Sequence, residues 1–493
     1  MPAEEPRLDP RGGDVNEHVL EHNVDEHDLY DSKRGRRREI EGKLRELGSA
    51  QLQQTPPLNG SSRKYDDIRA VPRRRLAGVL DVRLIRRDPD GVRASLERRG
   101  PAPAEALDRV LELDERWRAL TAELEELRAE QNRASRGRKG APTEEERAQL
   151  AHLAARRREV ADDEAAVRNR RDSELASLPN LPAADAPDHE QVLREVGDVE
   201  VTGRDHLELA GARIDMARAA RLSGSRFVYL RGELVTLEFA LVSYAISKLS
   251  GKGFEPVIPP VLVRERALYG TGFLPDTEQQ IYRLEDDDLY LTGTSEVGLA
   301  ALHEDEILAA SDLPLRYAGF STCFRREAGA AGKDTRGIFR LHQFDKVEMF
   351  SFVEPDRSVA EHEWLLSIEE EICDELQIPY RVVNIPVNDL GASAAKKYDI
   401  EAWLPGQGRY RELTSCSNTT DYQARRLDIR YRAAPDARPT HVHTLNGTAV
   451  TNSRTVIALL ENGQRDDGSV ALPPVLARYG APEVLAPANQ LTL

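Results

Sequence analysis

Between residues 104 and 178 the chain carries two helical stretches whose apolar residues repeat with the period of a coiled coil, and few folds can satisfy such a pattern. In the first stretch, about Ala104 to Ser135, Leu113, Trp117, Leu120, Leu124, Leu127, Gln131 and Ala134 alternate at spacings of four and three, an a/d seam. RGRKGAP at 136–142 breaks the helix with Gly and Pro, and Thr143 ahead of Glu144 to Glu146 has the pattern of a new N-cap. The second helix runs to about Leu178 through Leu150, Leu153, Val160, Val167 and Leu175, and the Pro-rich stretch 179–187 ends it. Two helices of this length joined by a tight turn predict an antiparallel arm, about 45–50 Å long at 1.5 Å per residue.

Most heptad pairs are packing devices, and a dimerisation hairpin is the plain reading of this one. Its charges suggest more. The arm is slightly acidic as a whole, yet Arg128, Arg133, Arg136, Arg138 and Lys139 gather near the tip, with Arg156, Arg157 and Arg158 on the returning helix. A basic tip on a projecting rod can follow a phosphate backbone. The net charge of -16 over 493 residues argues against nucleic acid binding across the whole surface, so a local patch is what such a partner requires.

Residues 1–78 are polar and irregular, with basic clusters at 33–38 and 73–75, and are predicted to be mostly disordered. His18, Glu21 and His22 match the H-x-x-E-H pattern of some zinc peptidases, but no apolar residues surround them to build a shaped cavity. A solvated coincidence is the better reading, and no zinc is expected. The N-terminus lacks the basic and apolar regions of a secretory signal, and no run approaches the eighteen or so apolar residues of a membrane span. Cys323, Cys373 and Cys416 are far apart and in no CxxC pattern, and read as buried thiols in a reducing compartment. A cytoplasmic protein without membrane association is expected.

Beyond residue 190 a mixed α/β domain follows. A helix at about Glu233 to Leu249 leads into GFEPVIPPVLV, and strands then recur without the strict alternation of a doubly wound sheet. An α+β domain with an antiparallel sheet and flanking helices is predicted. The expected divisions are 1–78, 79–182 for the arm and its base, and 190–493 for the α+β domain.

Within that domain, CFRREAGAAGKDTRGIFRLHQFDKVEMF at 323–350 reads as two strands, 318–327 and 338–350, joined by a Gly-rich loop. The period of two places Arg340, His342, Phe344, Lys346 and Glu348 on one face of the second strand, and Arg325 and Glu327 together on the first. Guanidinium groups, carboxylates and one flat ring on a shared surface suit a nucleotide. GKDT at 332–335 is no P-loop, because Glu327 stands where its first glycine is needed and a strand follows where a helix should. Three more segments converge. RELTSCSNTTDYQARRL (411–427) is unusually polar for a structural strand, HTLNGTAVTNSRTVIALLENGQ (443–464) places Arg454 at the start of an apolar helix, a natural phosphate site, and LTGTSEVGLAALH (291–303) adds Thr294 and Glu296.

FRREAG, DTRG, HQFDKVEM, REL with S-CSN, QARR and HTLNG, in that order, resemble the seryl-tRNA synthetases, a family of class II aminoacyl-tRNA synthetases. The resemblance runs from about residue 79 to the C-terminus and includes the arm. It implies an antiparallel class II catalytic domain and activation of L-serine by ATP and Mg²⁺. It further implies transfer of serine to the 3′ end of tRNA(Ser), and leaves open whether tRNA(Sec) is also charged. GFEPVIPPVLV, with Pro260, looks like motif 1, which lies at the homodimer interface in the family. By the same resemblance, Thr294, Ser295, Glu296, Arg325, Glu348 and Thr448 would bind serine. ATP would be held by Arg325, Arg326, Glu327, Leu341, Phe344, Glu412, Leu413, Thr414, Ser415 and Arg454. Arg325 would take the α-phosphate, Glu327 the adenine amino group and Phe344 the base, while Glu412 and Ser415 would hold Mg²⁺. Arg325, Glu348 and Arg454 would carry catalysis, and Arg128, Arg133, Arg136, Arg138 and Lys139 would bind tRNA. Ser295 and the N-G-T-A at 446–449 depart from the family's usual Ala and N-G-S-G, each by a small side chain.

Two rivals are weaker. A ligase loading a carrier protein would lack the arm, and a catalytically dead RNA-binding relative would have lost some of Arg325, Glu327, Glu348 and Arg454. The family's frame resumes at Val79-Leu80-Asp81, so residues 1–78 are expected to be dispensable and Val79 to be a start site. Peptides from 1–78 in the native protein would refute that.

Overall fold

The computed structural model describes residues 80–135, 143–200, 202–274, 280–328, 334 and 336–490. The expected disorder of residues 1–78, the His18–Glu21–His22 pattern, the Val79 start, and Arg136, Arg138 and Lys139 at the tip lie outside the described residues.

Two short helices open the described chain, α1 (Val82–Arg87) and α2 (Pro89–Glu97), each started by an aspartate side chain that accepts a backbone N–H of the first turn, Asp81 and Asp88. They pack on the base of the arm in a cluster that includes Ile85, Leu96, Leu107, Val110 and Leu175. The arm consists of α3 (Pro101–Ser135) and α4 (Glu144–Ser177). The N-cap forms where the sequence places it. Thr143 Oγ1 accepts the Glu146 N–H at 3.2 Å, and Glu146 Oε2 accepts the Thr143 N–H at 2.8 Å, a reciprocal capping box. Leu124, Leu153, Val160 and Val167 bury the seam.

One buried position near the root is not apolar. Asp114 is buried, and takes hydrogen bonds from Arg86 at 2.7 and 2.8 Å, Arg118 at 3.2 Å and Arg171 at 3.3 Å. Arg171 also lies 4.3 Å over the Trp117 ring, and Trp117 Nε1 donates to Glu164 at 2.6 Å across the helix pair. Below the root, the Asn180 amide donates to the carbonyls of Ser393 and Thr419 at 2.9 and 2.8 Å, and Arg99 donates to that of Leu390 at 3.2 Å. The arm thus stands on the α+β domain through hydrogen bonds to backbone carbonyls and through Ala176, which packs against Tyr422 and Tyr269.

Among the described residues, eight strands form the main sheet: β1 (Gln191–Val196), β2 (Glu255–Val257), β3 (Leu315–Phe324), β4 (Gln343–Val353), β5 (Tyr380–Asn384), β6 (Lys396–Leu404), β7 (Arg409–Asn418) and β8 (His443–Thr451). Their order is β1-β5-β6-β7-β8-β4-β3-β2, antiparallel throughout except for the β3–β2 pair at one edge. Four helices beside the sheet matter to the site: α5 (His206–Ala210), α6 (Glu233–Gly251), α7 (Glu296–Ala300) and α8 (Ser358–Glu375). A fifth, α9 (Asn452–Asn462), continues directly from β8. The core cluster joins α6, α8 and α9 to the sheet through residues such as Leu237, Leu241, Leu365, Ile400 and Ile457.

Helix α6 corrects one sequence expectation. By length and composition it is apolar enough to cross a membrane. Leu234, Leu237, Ala240, Leu241, Tyr244, Ala245 and Leu249 are instead buried against the sheet and its neighbours, while Phe239 on the other side is 66% exposed.

The hairpin is also shorter than the sequence suggests. β3 ends at Phe324 and β4 begins at Gln343, so Arg325, Glu327, Arg340 and His342 belong to the connecting loop. The period-of-two argument therefore holds for Phe344, Lys346 and Glu348 alone. Loop contacts place the others. Glu327 adopts a left-handed φ of 51° and its carboxylate pairs with Arg340, while His342 Nδ1 meets the Arg325 carbonyl at 2.8 Å.

Candidate active site

An open cleft lies on the sheet beside β4, β7 and the start of α9. The loop contributes Arg325, Glu327, Phe339, Arg340 and Leu341, β4 contributes Phe344 and Lys346, and β7 contributes Glu412, Leu413, Thr414 and Ser415. Thr448 and Thr451 of β8 and Ser453 and Arg454 of α9 close the lining. Four consecutive residues of one strand should not share a face, since side chains alternate. A bulge resolves this. Ile400 pairs with Thr414 and Glu401 with Glu412, so Leu413 is the extra residue and re-aims the residues around it. A second bulge leaves Ala449 of β8 unpaired and sets Thr448 directly across from Glu348.

The cationic groups are held by carbonyls and rings. Arg325 Nε donates to the Gly293 carbonyl at 3.1 Å, with its guanidinium carbon 5.3 Å from the Phe344 ring centre. Arg454 pairs with Glu412 Oε1 at 3.1 Å and donates to the Glu412 carbonyl at 3.1 Å, lying 4.7 Å over Phe339. Arg411 lies over Phe339 at 3.7 Å and pairs with Asp334 at 2.8 Å. Burial opposes ionisation of Glu412, but Arg454 and Lys397 outweigh it and hold the carboxyl well below the usual carboxylate range. A carboxylate kept charged beside arginines, with a serine hydroxyl three residues on, offers hard oxygen donors of the kind Mg²⁺ takes alongside phosphate oxygens. Among the described residues no group of three or more His, Cys, Asp or Glu could hold a metal ion by protein ligands alone.

Next to the cleft the polar lining continues inward as a buried network. Lys346 Nζ donates to Thr294 Oγ1 at 2.6 Å and pairs with Glu348 at 2.5 Å, and Thr448 Oγ1 donates to Glu348 at 3.3 Å. Deeper in, Glu296 Oε1 accepts from Gln423 at 2.7 Å and Asn446 at 3.0 Å. Burial, reinforced by the Glu348 carboxylate, pushes the Glu296 carboxyl up to about 7. Burial raises Glu348 too, against the pull of Lys346. Two carboxyl groups and one ammonium in so dry a place suit a small ligand that brings its own positive charge.

The structure thus gathers Arg325, Glu327, Leu341, Phe344, Glu412, Leu413, Thr414, Ser415, Thr448 and Arg454 in the cleft, with Thr294, Glu296 and Glu348 in the adjoining network. Two predicted residues stand apart. The Arg326 side chain is exposed, and the Ser295 hydroxyl is buried 2.8 Å from that of Ser321. The sequence reasoning did not assign a role to Lys346, Arg340, Phe339 or Asn446. Lys346 and Arg340 stood in the alternating run already singled out, and Asn446 in HTLNG, so the signal was present for those three. On the arm, Arg128 and Arg133 are exposed, whereas Arg156 pairs with Glu123 and Glu159 and Arg157 donates to Gln131.

A family model for the seryl-tRNA synthetase N-terminal domain matches residues 79–182, and one for the tRNA synthetase class II core domain (G, H, P, S and T) matches 280–463. The serine–tRNA ligase of Acidothermus cellulolyticus is 50% identical over 426 residues, covering 83% of this chain and 100% of that protein. The crystal structure of seryl-tRNA synthetase from Pyrococcus horikoshii complexed with ATP is 42% identical, covers 83% of this chain and 99% of its own, and superposes with a TM-score of 0.79. The cytoplasmic serine–tRNA ligase of Naegleria fowleri in complex with AMP covers 80% of this chain and 95% of its own, at 33% identity and a TM-score of 0.72.

Proposed function

Since the chain belongs to the seryl-tRNA synthetase family, a class II aminoacyl-tRNA synthetase that activates L-serine with ATP and charges tRNA, we propose how its residues divide that work. The observation that carries the assignment is the junction of the cleft lined by Arg325, Phe344, Glu412 and Arg454 with the buried Lys346–Glu348–Thr294 network. In the first step an oxygen of the serine carboxylate bonds to the α-phosphorus as the bond to the β-phosphate oxygen breaks, giving seryl-adenylate and pyrophosphate. In the second, the terminal ribose hydroxyl of the tRNA attacks the adenylate carbonyl and AMP leaves. Neither step needs a protein nucleophile. The site supplies position and charge.

Arg325 faces the α-phosphate and the serine carboxylate, with Phe344 against the adenine and Arg454 near the far phosphates. Glu327 and Arg340, paired with each other, form the loop-side wall, and Glu327 presents an oxygen to the adenine amino group. Glu412 and Ser415 would hold Mg²⁺, which would offset the charge of the triphosphate. Glu348 and Thr448 flank the serine ammonium and hydroxyl, with Glu296 and Asn446 behind them. Alanine in that place would leave buried groups unpaired, the arrangement that rejects a missing hydroxyl most strongly. Residues 79–182 serve as the tRNA-binding unit and 190–493 as the catalytic unit, in a cytoplasmic enzyme with tRNA(Ser) as its partner.

The deciding experiment is charging of total tRNA with each radiolabelled amino acid. Serine alone should be incorporated, and incorporation of any other amino acid in its place would refute the reading.

The enzyme works as a homodimer. Phe239 and Val235 of α6, Ile258 at 80% exposed and Leu262 stand out on and beside motif 1, more apolar surface than water readily tolerates. Phe239→Asp combined with Ile258→Asp should lower the mass seen by light scattering from twice the 55.1 kDa chain to once. An unchanged mass would remove this face from the interface.

A further inference from the structure

Behind the loop-side wall of the cleft, one imidazole joins elements that the sequence separates widely. His206, the first residue of α5, is buried, as is Glu461 near the end of α9. Glu461 Oε1 lies 3.0 Å from His206 Nδ1 and accepts the His206 backbone N–H at 3.2 Å. Glu461 Oε2 accepts the Gly406 N–H at 2.9 Å, in the turn between β6 and β7. On the ring's other side, His206 Nε2 accepts the Ile338 N–H at 3.3 Å. A backbone N–H can only donate, so Nε2 carries a lone pair and Nδ1 carries the proton that Glu461 receives.

The contact with Ile338 is close enough to have dictated a neighbour. Gly337 holds φ at +80°, and a Cβ there would stand 2.3 Å from His206 Nε2. The preceding residue repeats the link, since Arg336 pairs at 2.7 Å with Asp205, the aspartate that caps α5. Immediately after Ile338 come Phe339, Arg340 and Leu341, all lining the cleft. Glu461 belongs to the helix that bears Arg454, and the Gly406 turn leads into the strand that bears Glu412.

We propose that His206 is a positioning residue for ATP, tying the 338–341 wall of the cleft to α9 and β7 through Glu461. It touches no substrate. Its role is to fix the separation of walls that must both meet the nucleotide, and the hydrogen bonds of the serine network, made by Lys346 and Thr448 to Thr294 and Glu348, do not run through it. The inference rests on the function proposed above.

Two variants separate the halves of the bridge. His206→Gln puts an acceptor where Nε2 stands, and Glu461 still holds residue 206 through its backbone N–H, while His206→Asn keeps a donor near Nδ1 but loses the bond to Ile338. In ATP–pyrophosphate exchange, His206→Asn should raise the KM for ATP about fivefold, the size expected for one neutral hydrogen bond, with kcat and the KM for serine within about twofold. His206→Gln should return to within about twofold of wild type. Should His206→Asn fail to fold, Gly337→Ala strains the same contact from the loop side and should give the same selective rise. Equal effects of His206→Asn and His206→Gln, a matching rise in the serine KM, or no rise at all would overturn the proposal. Calorimetric titration with ATP, without serine, reads the same affinity difference independently. A wild type that binds ATP but shows no serine-dependent exchange would refute the proposed function and leave the ATP comparison to decide the role of His206.

Discussion

Arg325→Ala should lower serine-dependent ATP–pyrophosphate exchange by about a thousandfold while leaving the protein folded. Stabilising groups aimed at developing charge in a water-poor site contribute on this scale. The native fold asks little of this side chain. It makes one hydrogen bond to the Gly293 carbonyl, lies beside Phe344 and is only half-buried at the mouth of the cleft. Circular dichroism and the thermal unfolding midpoint should therefore stay near wild type. Arg325→Lys should recover little, because an ammonium cannot present two parallel donors to phosphate and carboxylate oxygens. Exchange within about tenfold of wild type in the alanine variant would remove Arg325 from the α-phosphate.

Shortening the arm should separate the two half-reactions. The structure shows where to cut. Leu107, Val110 and Leu175 belong to the base cluster, and Asp114, Trp117, Glu164 and Arg171 knit the root, so removal must begin beyond them. Replacing residues 122–159 with a short Gly/Ser turn joins the two helices above Trp117 and discards the tip with Arg128 and Arg133. All cleft residues lie elsewhere in the chain, so exchange should remain within about twofold of wild type. Aminoacylation should fall by a hundredfold or more in kcat/KM for tRNA, and the salt dependence of tRNA binding should flatten as phosphate contacts are lost. Normal charging by the shortened enzyme would reduce the arm to a packing device, and loss of exchange would show that arm and catalytic unit are not separable.

The arm and the order of the motifs were legible because both rest on local rules: the seam from Leu113 to Ala134, and a Thr143 cap that forms as the pattern dictates. Strand ends were less so. Arg325 and Glu327 continue an apparently alternating run, yet β3 stops at Phe324, because loop contacts such as Glu327–Arg340 and His342 to the Arg325 carbonyl compete with ladder pairing. The bulges at Leu413 and Ala449 were invisible, since nothing in RELTS or NGTAV distinguishes a paired residue from an extra one. Lys346 shows another limit. Its position was noted, but only the fold reveals that it faces Thr294, 52 residues away. His206 left no signal at all. A lone histidine before an apolar turn is commonplace until Ile338 and Glu461 are seen on either side of it.

Asp114 gives the arm a property that leucines cannot. An apolar seam tolerates sliding by a heptad, about 10 Å at 1.5 Å per residue, because one leucine layer packs much like the next. Here any slip would drag a buried carboxylate away from Arg171 on the opposite helix and from Arg86 beneath, and leaving such a charge without its partners costs about 3–5 kcal/mol. Asp114→Leu would strand the Arg86 and Arg171 guanidinium groups and lower the melting temperature, and it would let the two helices find alternative alignments. The distance from root to tip would then no longer be single-valued, and the arm is a ruler only while that distance is one number.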